Sequence, residues 1–543
     1  MKNKRYPYYE FEQAGSIWDL LMLSVQNYGA KDVFVFKRGK ALHRKTYAEL
    51  SGEAHALAAY FIQEGYVRQK IAILGENSYD WIVSWFGIVL SGNIAVPIDK
   101  LLLPEQVVFI LNDVNAAAVV HSKQYTEIVP ETLEDGTPLR RLCMETDLTA
   151  CVEQGAARLQ SEGQITVANT TGKDETALII YTSGTTGIAK GVALTQDNLC
   201  ADMNSLTQVA LFEGKGLLVL PLNHVYAFQS LLVFMAEGVT TYISVSLKRV
   251  SQELKEYQPS AMCVVPLFLE TMYGKVMASA QKQGIEKQLK LLMKLSLALL
   301  ELGIDVRRRL FKRILDEFGG GLSTVICGGA PIDIGYVRAF RAFGVNVMPG
   351  YGITECSPVI AGSRNEHHRD GSVGQPIPGA EIRTDAPDGE GEGELLVRGR
   401  MVMHGYYNNE AATREAFDGE WFKTGDIGYL DKDGFVYITG RKKNIIILSN
   451  GKNLYPEELE IQLMKIPAVS EVVVYEYERQ VAAEIFPNAD WLAENEITDT
   501  LRYLEQVVEK LNKHLPLYKN ITKLKLRDID FPKTSTQKIR RNK

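Results

Sequence analysis

The stretch TALIIYTSGTTGIAKG, residues 176–191, joins an apolar run to a loop rich in glycine and hydroxyl side chains. The run TALIIYT (Thr176–Thr182) has the length and composition of a buried β-strand. The glycines allow backbone N–H groups to turn inward and bind an anion, and the hydroxyl side chains and Lys190 add donors and positive charge. The loop is not a Walker loop, because Ala189 stands where that pattern requires its second glycine. The sequence therefore predicts a phosphate-binding loop of another kind.

Apolar, β-rich runs alternate with helical patterns along most of the chain. The segments LSTVIC (Leu322–Cys327) and VNVMPG (Val345–Gly350) indicate two further buried strands with a helix between them. The loop after Thr182 is expected to lead into a helix that begins near residues 195–197. This alternation predicts an α/β fold with parallel sheets covered by helices, in which ligands bind at the carboxyl ends of the strands.

The pattern changes near Gly440, where shorter segments follow one another. Before this point GEGELLVRG and GFVYITG predict short antiparallel strands. After it, the sequence predicts a turn at Asn450-Gly451, a helix beginning at Pro456, the strands VSEVVVYEY and QVAAEIF, and a helix with apolar residues at 501, 504, 508, 511 and 515. We therefore expect a large N-terminal multi-sheet domain at residues 1–442 and a small α+β domain at residues 443–543.

The composition excludes some functional classes. The chain has 543 residues, of which 46% are apolar, enough for a large core and more than one domain. A formal net charge of −6 argues against a nucleic-acid-binding protein, which is usually basic. The six cysteines form neither a CxxC pair nor a Cys/His metal spacing, as expected of buried thiols in a reducing compartment. No signal peptide is expected, because no apolar segment follows the basic N-terminal residues, so a cytoplasmic location is predicted.

One uncharged run, LLVLPLNHVYAFQSLLVFMA at residues 217–236, is long enough to span a bilayer. Pro221, Asn223, His224 and Gln229 interrupt it near its middle. A strand, a polar loop and a buried helix are therefore the preferred interpretation, with a transmembrane helix as the alternative.

Six motifs, in this order, resemble those of the adenylate-forming superfamily, which contains acyl-CoA synthetases and adenylation domains. The motifs are YTSGTTGIAKG (181–191), CGGAP (327–331), YGITE (351–355), WFKTGDIG (421–428), GRKKNII (440–446) and PKTSTQK (532–538). The resemblance covers most of the chain. It implies a large N-terminal domain and a small mobile C-terminal domain, which rotates about a hinge at Lys443 between two half-reactions.

The resemblance also implies a nucleotide site. Tyr351 would stack on adenine, Asp426 would accept hydrogen bonds from both ribose hydroxyls, and Arg441 would support the nucleotide. The implied nucleotide-binding residues are Thr182, Ser183, Gly184, Thr185, Thr186, Gly187, Lys190, Gly328, Gly329, Ala330, Tyr351, Gly352, Asp426 and Arg441. Taken without the resemblance, Asp426 and Arg441 could equally be an ordinary surface ion pair.

Four residues are implied to take part in catalysis. Glu355 would bind Mg²⁺ together with Thr185, because this ion needs hard oxygen ligands. Thr354 would donate to the α-phosphate, and Lys538 would contact both the carboxylate and the phosphate during adenylation. His224 would lie at the acyl site. By themselves, Lys538 in the tail KIRRNK is typical of a solvated lysine, and His224 of a core histidine.

The implied reaction activates a carboxylic acid with ATP and Mg²⁺ and transfers the acyl group to coenzyme A. Attack of the carboxylate on the α-phosphate gives an acyl-adenylate and pyrophosphate, and the thiol of coenzyme A then displaces AMP. VVPLFLETMYGKV (264–276) and KQLKLLMKLSLALLELG (287–303) resemble the longer insert of long-chain acyl-CoA synthetases, and residues 307–331 resemble the approach to the adenine pocket in that subgroup. This resemblance implies a medium- or long-chain fatty acid. An amino acid substrate is not expected, because the segment NHVYAF (223–228) holds no acidic residue for an amine.

Several alternatives stay open at this point. The acceptor could be the phosphopantetheine of a carrier protein, and the acid could be aromatic or of another type. A nucleotide-binding protein without catalysis is a further alternative, because Ala189 replaces a frequent proline and Gln537 a usual glycine of the family. A basic helix expected at residues 290–313 could be solvated or could lie against anionic lipid at the inner face of a membrane.

Overall fold

In a computed structural model the chain is an α/β protein made of two compact units. The first contains residues 1–381 and 398–420, and the second contains residues 382–397 and 421–543. The structure describes residues 6–161, 172–182, 189–244, 246–364, 367–387, 389, 391–447, 453–478, 480–533, 539 and 541.

The helices and strands are numbered here in chain order. The strands are β1 (Asp32–Arg38), β2 (Ala41–Thr46), β3 (Lys70–Leu74), β4 (Ile94–Ile98), β5 (Ala118–His121), β6 (Arg140–Cys143), β7 (Thr176–Thr182), β8 (Lys190–Thr195), β9 (Lys215–Leu218), β10 (Thr240–Ile243), β11 (Ala261–Val264), β12 (Thr324–Cys327), β13 (Asn346–Gly352), β14 (Val359–Gly362), β15 (Gln375–Pro376), β16 (Glu381–Asp385), β17 (Gly393–Arg398), β18 (Gly405–Tyr406), β19 (Phe417–Asp418), β20 (Trp421–Leu430), β21 (Val436–Arg441), β22 (Ile446–Ile447), β23 (Asn453–Leu454), β24 (Val469–Tyr477), β25 (Gln480–Pro487) and β26 (Lys523–Leu526). The helices are α1 (Ile17–Tyr28), α2 (Tyr47–Gln63), α3 (Tyr79–Leu90), α4 (Pro104–Asp113), α5 (Leu148–Ser161), α6 (Gln196–Val209), α7 (Val225–Ala236), α8 (Val250–Tyr257), α9 (Pro266–Lys282), α10 (Glu286–Glu301), α11 (Arg307–Leu310), α12 (Lys312–Glu317), α13 (Ile334–Phe343), α14 (Glu410–Ala416), α15 (Pro456–Leu463), α16 (Ala489–Glu494) and α17 (Thr500–Asn512).

The first sheet of the larger unit has the strand order β15-β14-β13-β12-β11-β9-β10-β1-β2. Its strands from β13 to β1 run parallel, and β14, β15 and β2 add antiparallel edges. The residues of β11 are all buried, as expected for a strand covered on both faces. The expected strands at 322–327 and 345–350, and the helix between them, are confirmed as β12, β13 and α13.

The second sheet has the strand order β18-β8-β7-β4-β3-β5-β6 and contains the opening stretch. The expected strand β7 is confirmed, but the loop after it does not lead directly into a helix. Strand β8 follows and pairs antiparallel with β7, with Ile180 opposite Val192. The reason is that Val192 and Leu194 alternate along the chain and are both buried in the sheet. The expected helix start near residues 195–197 is confirmed, because α6 begins at Gln196, directly after this strand, where the Thr195 hydroxyl accepts a hydrogen bond from the Asn198 amide.

The uncharged run at residues 217–236 folds as a strand, a polar loop and a buried helix, as the preferred interpretation predicted. It forms the end of β9, a polar loop and helix α7, most of whose side chains are buried. Among the described residues, no helix is both long enough and apolar enough to cross a bilayer.

The prediction of a single basic helix at residues 290–313 is wrong. The chain forms α10, α11 and α12 there instead. Gly303 adopts φ +81°, a left-handed conformation that ends α10, and the amide of Ile304 donates to the Leu299 carbonyl across this turn. The basic residues that follow are therefore divided between short helices.

The second unit contains β17 and β21, the two short strands predicted before Gly440, which both pair antiparallel with β20. Its C-terminal part has the strand order β24-β25-β26, with α15 and α17 packed on an apolar core that includes Leu459, Val474 and Leu504. These strands and helices confirm the pattern predicted after Gly440. The turn predicted at Asn450-Gly451 lies outside the described residues. The predicted domain boundary after residue 442 lies inside this unit and stays a prediction, as does the hinge at Lys443.

Candidate functional site

The carboxyl edge of the first sheet carries several of the predicted motifs. CGGAP begins with the last residue of β12, and YGITE begins near the end of β13. The side chain of Tyr226, from α7, reaches the same edge, where its hydroxyl donates to the Ile326 carbonyl at 3.2 Å. Because parallel strands end at one edge, residues distant in sequence meet there.

In the loop after β12, few side-chain atoms cover the backbone, because Gly328 and Gly329 have no side chain and Ala330 has only a methyl group. The Gly328 amide donates to the Val264 carbonyl at 3.2 Å, and Gly329 adopts φ +82°. A Cβ atom on Gly328 would lie 3.5 Å from the Tyr226 ring, so this residue is closely covered on one side. Gly329 and Ala330 are exposed. The loop can therefore receive a flat ligand against its backbone.

The turn after β13 is compact and holds Thr354 and Glu355. A Cβ atom on Gly352 would lie 2.0 Å from the Pro358 carbonyl oxygen, so only glycine allows this approach. The Ile353 amide donates to the same carbonyl at 2.8 Å, which closes the turn. Residues Thr354–Cys356 form one 3₁₀ turn, with Thr354 and Glu355 partly exposed.

The Glu355 side chain is held by a tyrosine that the sequence analysis did not single out. The Tyr406 hydroxyl donates to Glu355 Oε1 at 2.9 Å, and the Met403 amide donates to the Glu355 carbonyl at 2.8 Å. Lys190 Nζ lies 5.1 Å from the centroid of the Tyr406 ring. Burial raises the pKa of Tyr406, and the negative charge of Glu355 raises it further, so the hydroxyl remains a donor. Tyr406 thus brings Lys190 and Glu355 into one cluster.

Strand pairing also fixes the two ends of the predicted phosphate loop. Thr182, the last residue of β7, lies opposite Lys190, the first residue of β8, and its hydroxyl donates to the Lys190 carbonyl at 3.5 Å. β18 continues the sheet, with Tyr406 opposite Val192. The loop residues Ser183, Gly184, Thr185, Thr186 and Gly187 lie outside the described residues.

His224 precedes helix α7 and lies near an acidic residue. Its Nε2 atom is 3.9 Å from Asp99 Oδ2, and its side chain is 31% exposed. Surrounding protein lowers the pKa of His224 because it desolvates the charged ring, and Asp99 opposes this effect. The imidazole is therefore neutral at pH 7, where it can donate or accept a hydrogen bond.

In the second unit, Asp426 and Arg441 face each other on β20 and β21. Arg441 Nε donates to Asp426 Oδ1 at 2.6 Å, and the Asp426 amide donates to the Thr424 hydroxyl at 3.0 Å. Asp426 is only 3% exposed, which excludes an ordinary surface pair for this carboxylate. Lys443 lies in the exposed 3₁₀ turn after β21. Lys538 lies outside the described residues.

Family comparison agrees with this arrangement. Residues 23–407 match the family described as AMP-binding enzyme, and residues 443–543 match the AMP-binding enzyme C-terminal domain. The chain belongs to the AMP-binding enzyme family. The resemblance to adenylate-forming enzymes and the predicted α/β fold are therefore confirmed.

Individual relatives of this AMP-binding enzyme cover nearly the whole chain. Long-chain-fatty-acid–CoA ligase FadD15 of Mycobacterium bovis is 30% identical over 91% of this chain and 89% of its own length. Long-chain-fatty-acid–acyl-carrier-protein ligase AEE15 of Arabidopsis thaliana is 27% identical over 87% of this chain and 76% of its own. The solved structure of o-succinylbenzoate CoA synthetase from Bacillus subtilis, in complex with its acyl-adenylate intermediate, has a TM-score of 0.72 at 23% identity over 96% of both chains. At that identity the structural likeness shows the fold.

The donor set of the enzyme fits Mg²⁺ held together with a nucleotide. Among the described residues, no three His, Cys, Asp or Glu side chains cluster as they would to hold a metal by themselves. Mg²⁺ usually takes only one or two protein carboxylates and fills its other positions with phosphate oxygens and water. Glu355, oriented by Tyr406, would supply such a carboxylate. Thr185, the other predicted ligand, lies outside the described residues.

We predict that Tyr406→Phe weakens binding of Mg²⁺-ATP by about tenfold. The change leaves Glu355 without its tyrosine donor, and a hydrogen bond to a charged group contributes about 1.5–3 kcal/mol. Calorimetric titration with and without Mg²⁺ measures the effect. Tyr407→Phe is the control, because that ring packs against the core of the second sheet. Unchanged Mg²⁺-dependent affinity in Tyr406→Phe would show that the tyrosine does not orient the carboxylate.

Proposed function

We propose that this enzyme is an AMP-forming ligase that activates a medium- or long-chain fatty acid with ATP and transfers it to coenzyme A. The observation that carries the proposal is the cluster of Lys190, Tyr406 and Glu355, in the unit whose first sheet presents CGGAP and YGITE at its carboxyl edge. The name of the relative FadD15, a long-chain-fatty-acid–CoA ligase, supports both the acid and the acceptor.

The first half-reaction must bring two anions together, the carboxylate of the acid and the triphosphate of ATP. Lys190 would reduce this repulsion, because a fixed donor needs no reorganisation when charge develops. Glu355 would hold Mg²⁺, which neutralises phosphate charge when bound. Thr354, in the same turn, would donate to the α-phosphate, and Lys538 would bind both anions.

The second half-reaction would use a different arrangement of the same chain. The thiol of coenzyme A attacks the acyl carbon of the acyl-adenylate, the bond from that carbon to the phosphate oxygen breaks, and AMP leaves. Lys538 has no role in this step, because no negative carboxylate is being joined to phosphorus. We propose that Lys443, in the exposed turn after β21, is the hinge at which the C-terminal domain (residues 443–543) changes its orientation.

The acid would lie near the N-terminal end of α7, beside His224. The neutral imidazole can bind a carboxyl group without adding a charge to be buried. The helix that follows is apolar and largely buried, which suits an acid with a hydrocarbon chain rather than one with an amine.

The second candidate function differs in the acyl acceptor. In it, the acyl group is transferred to the phosphopantetheine of a carrier protein, because the relative AEE15 is named a long-chain-fatty-acid–acyl-carrier-protein ligase.

We further propose that the enzyme is cytoplasmic and rests on anionic lipid through one face of α10. Leu291 and Leu295 of α10, and Leu302 directly after its end, follow one another at helical spacing and are 67%, 50% and 76% exposed. The exposed Lys287 and Lys294 lie beside this row. An apolar row flanked by lysines complements the headgroup region of an anionic bilayer, from which a fatty acid could be taken up.

We predict acid-dependent exchange of labelled pyrophosphate into ATP, with an apparent affinity that rises with the chain length of the acid. Each added methylene buried in the site contributes about 0.8 kcal/mol until the site is filled. Mass spectrometry of the products should find the acyl-CoA. Exchange with benzoate alone indicates an aryl-acid ligase, and acyl transfer to carrier phosphopantetheine but not to free coenzyme A indicates the second candidate. Absence of exchange with every acid contradicts an active ligase.

We predict that Lys538→Ala lowers pyrophosphate exchange by about 10²–10³-fold but spares thioester formation from pre-made acyl-AMP. Lys443→Pro should do the reverse, because it restricts the backbone of the proposed hinge. Separate assays of the two half-reactions measure both effects. Equal loss of both steps in Lys538→Ala contradicts a lysine that serves only adenylation. Survival of both steps in Lys443→Pro contradicts the hinge.

We predict that replacing both Leu295 and Leu302 by glutamine lowers binding to phosphatidylglycerol vesicles at least about tenfold, because each exposed leucine loses apolar area that the bilayer would bury. Co-sedimentation measures the binding, and phosphatidylcholine vesicles test the need for negative charge. Leu517→Gln is the control, since this leucine is 89% exposed and lies in the other unit. Equal binding of the double variant and the wild type contradicts the contact.

A further inference from the structure

A cluster of charged side chains in the second unit links two motifs whose roles are otherwise separate. Glu457 and Glu460 lie three residues apart on α15 and share one cation, Arg541. Arg541 Nη2 lies 2.5 Å from Glu460 Oε2 and 3.5 Å from Glu457 Oε1. These side chains are 16–27% exposed, so the cluster is largely excluded from water.

The cluster is tied to β24 by hydrogen bonds on both partners. Arg541 Nη1 donates to the Val474 carbonyl at 3.1 Å, and the Val474 amide donates to Glu460 Oε1 at 2.7 Å. The arginine and the carboxylate thus bind the two polar groups of one backbone residue. This geometry fixes the direction of the guanidinium more tightly than a single surface ion pair does.

The same cluster reaches the turn that contains Lys443. Asn444 Nδ2 donates to Glu457 Oε1 at 2.5 Å, and this is the oxygen that faces Arg541. A continuous chain of contacts therefore runs from the 3₁₀ turn Lys442–Asn444 through α15 to the C-terminal tail.

A second anchor holds the chain on the other side of residues 534–538. Lys533 forms an ion pair with Glu471, and the Phe531 amide donates to Glu471 Oε2 at 2.8 Å. Lys533 and Ile539 also form an antiparallel bridge. The residues that flank the segment with Lys538 are therefore attached to β24 at Glu471 and, through Arg541, at Val474.

The charges indicate that the cluster depends on its arginine, the cation that the two carboxylates share. Burial raises the pKa of Glu460 to about 7, and Arg541 and the Val474 amide oppose this rise. Without the guanidinium, two carboxylates would share a poorly hydrated site with no cation, which is strongly unfavourable. The chain at residue 541 would then lose its attachment to α15 and β24.

We propose that Arg541 is a positioning residue for adenylation, which attaches the segment that contains Lys538 to α15 and, through Glu457, to the turn that contains Lys443. The proposal rests on the proposed function, in which Lys538 acts in the first half-reaction. Movement at the turn would then carry Arg541 together with α15. Lysine cannot replace the arginine fully, because it lacks the planar fork that contacts Glu460 and the Val474 carbonyl together.

The test compares Arg541→Met, Arg541→Lys and the control Lys513→Met, which removes an exposed cation paired with Glu509. We expect Arg541→Met to lower kcat of pyrophosphate exchange about 10- to 100-fold, because a small displacement of a catalytic group costs this much. The KM for ATP should change less than about threefold, and thioester formation from pre-made acyl-AMP should stay at the wild-type rate. Arg541→Lys should recover part of the exchange, and Lys513→Met should match the wild type.

Two kinetic results would overturn the proposal: wild-type pyrophosphate exchange in Arg541→Met, or an equal loss of both half-reactions, which indicates a purely structural ion pair. Amide hydrogen exchange of residues 533–541 gives a second test that needs no substrate. Faster hydrogen exchange of these residues in Arg541→Met, with unchanged protection of β25, supports the anchor, and an unchanged rate of hydrogen exchange rejects it.

The proposed function and the role of Arg541 can fail separately. If the wild type shows no pyrophosphate exchange with any acid, the proposed function fails, while hydrogen exchange still decides whether Arg541 holds the segment.

Discussion

The parallel pairing of β11, β12 and β13 is the constraint on which the candidate site depends. Cys263 lies opposite Ile326, and Ile326 lies opposite Met348, so the three strands end at one edge of the sheet. Val264 and Val347 are almost completely buried, and a slip by one residue would turn such side chains to the wrong face. The register therefore fixes where the loops with Gly328 and Glu355 emerge, and with them the place where a nucleotide can bind.

Within the larger unit, side chains from distant segments are then fixed by a few directional contacts. Tyr406 orients Glu355 and lies against Lys190, and the close packing of Gly352 on Pro358 holds the turn that bears the carboxylate. A site made in this way is preorganised, because its dipoles and charges need little rearrangement when ligand charge develops. The second unit, taken by itself, has its own fixed groups, namely the buried Asp426 with its partner Arg441 and the cluster around Arg541.

Much of the fold could be predicted from local pattern, because apolar runs such as Thr176–Thr182 reflect burial in a sheet. Strand β8 was missed, since a short alternating segment beside a glycine-rich loop resembles the start of a helix region. The break at Gly303 depends on its positive φ, which a leucine-rich helical pattern conceals. Tyr406 could not be found from spacing, because it lies 51 residues from Glu355 and meets it only through pairing of β18 with β8. The pair of tyrosines in HGYYN was the available signal.

The central claim is that the enzyme activates the acid by joining its carboxylate oxygen to the α-phosphate of ATP. The most direct measurement uses a fatty acid with ¹⁸O in its carboxyl group, together with ATP, Mg²⁺ and coenzyme A, and follows the label by mass spectrometry. The account predicts that AMP carries one ¹⁸O atom from the acid and that pyrophosphate carries none. Unlabelled AMP, or ¹⁸O in inorganic phosphate with ADP as the nucleotide product, would contradict it.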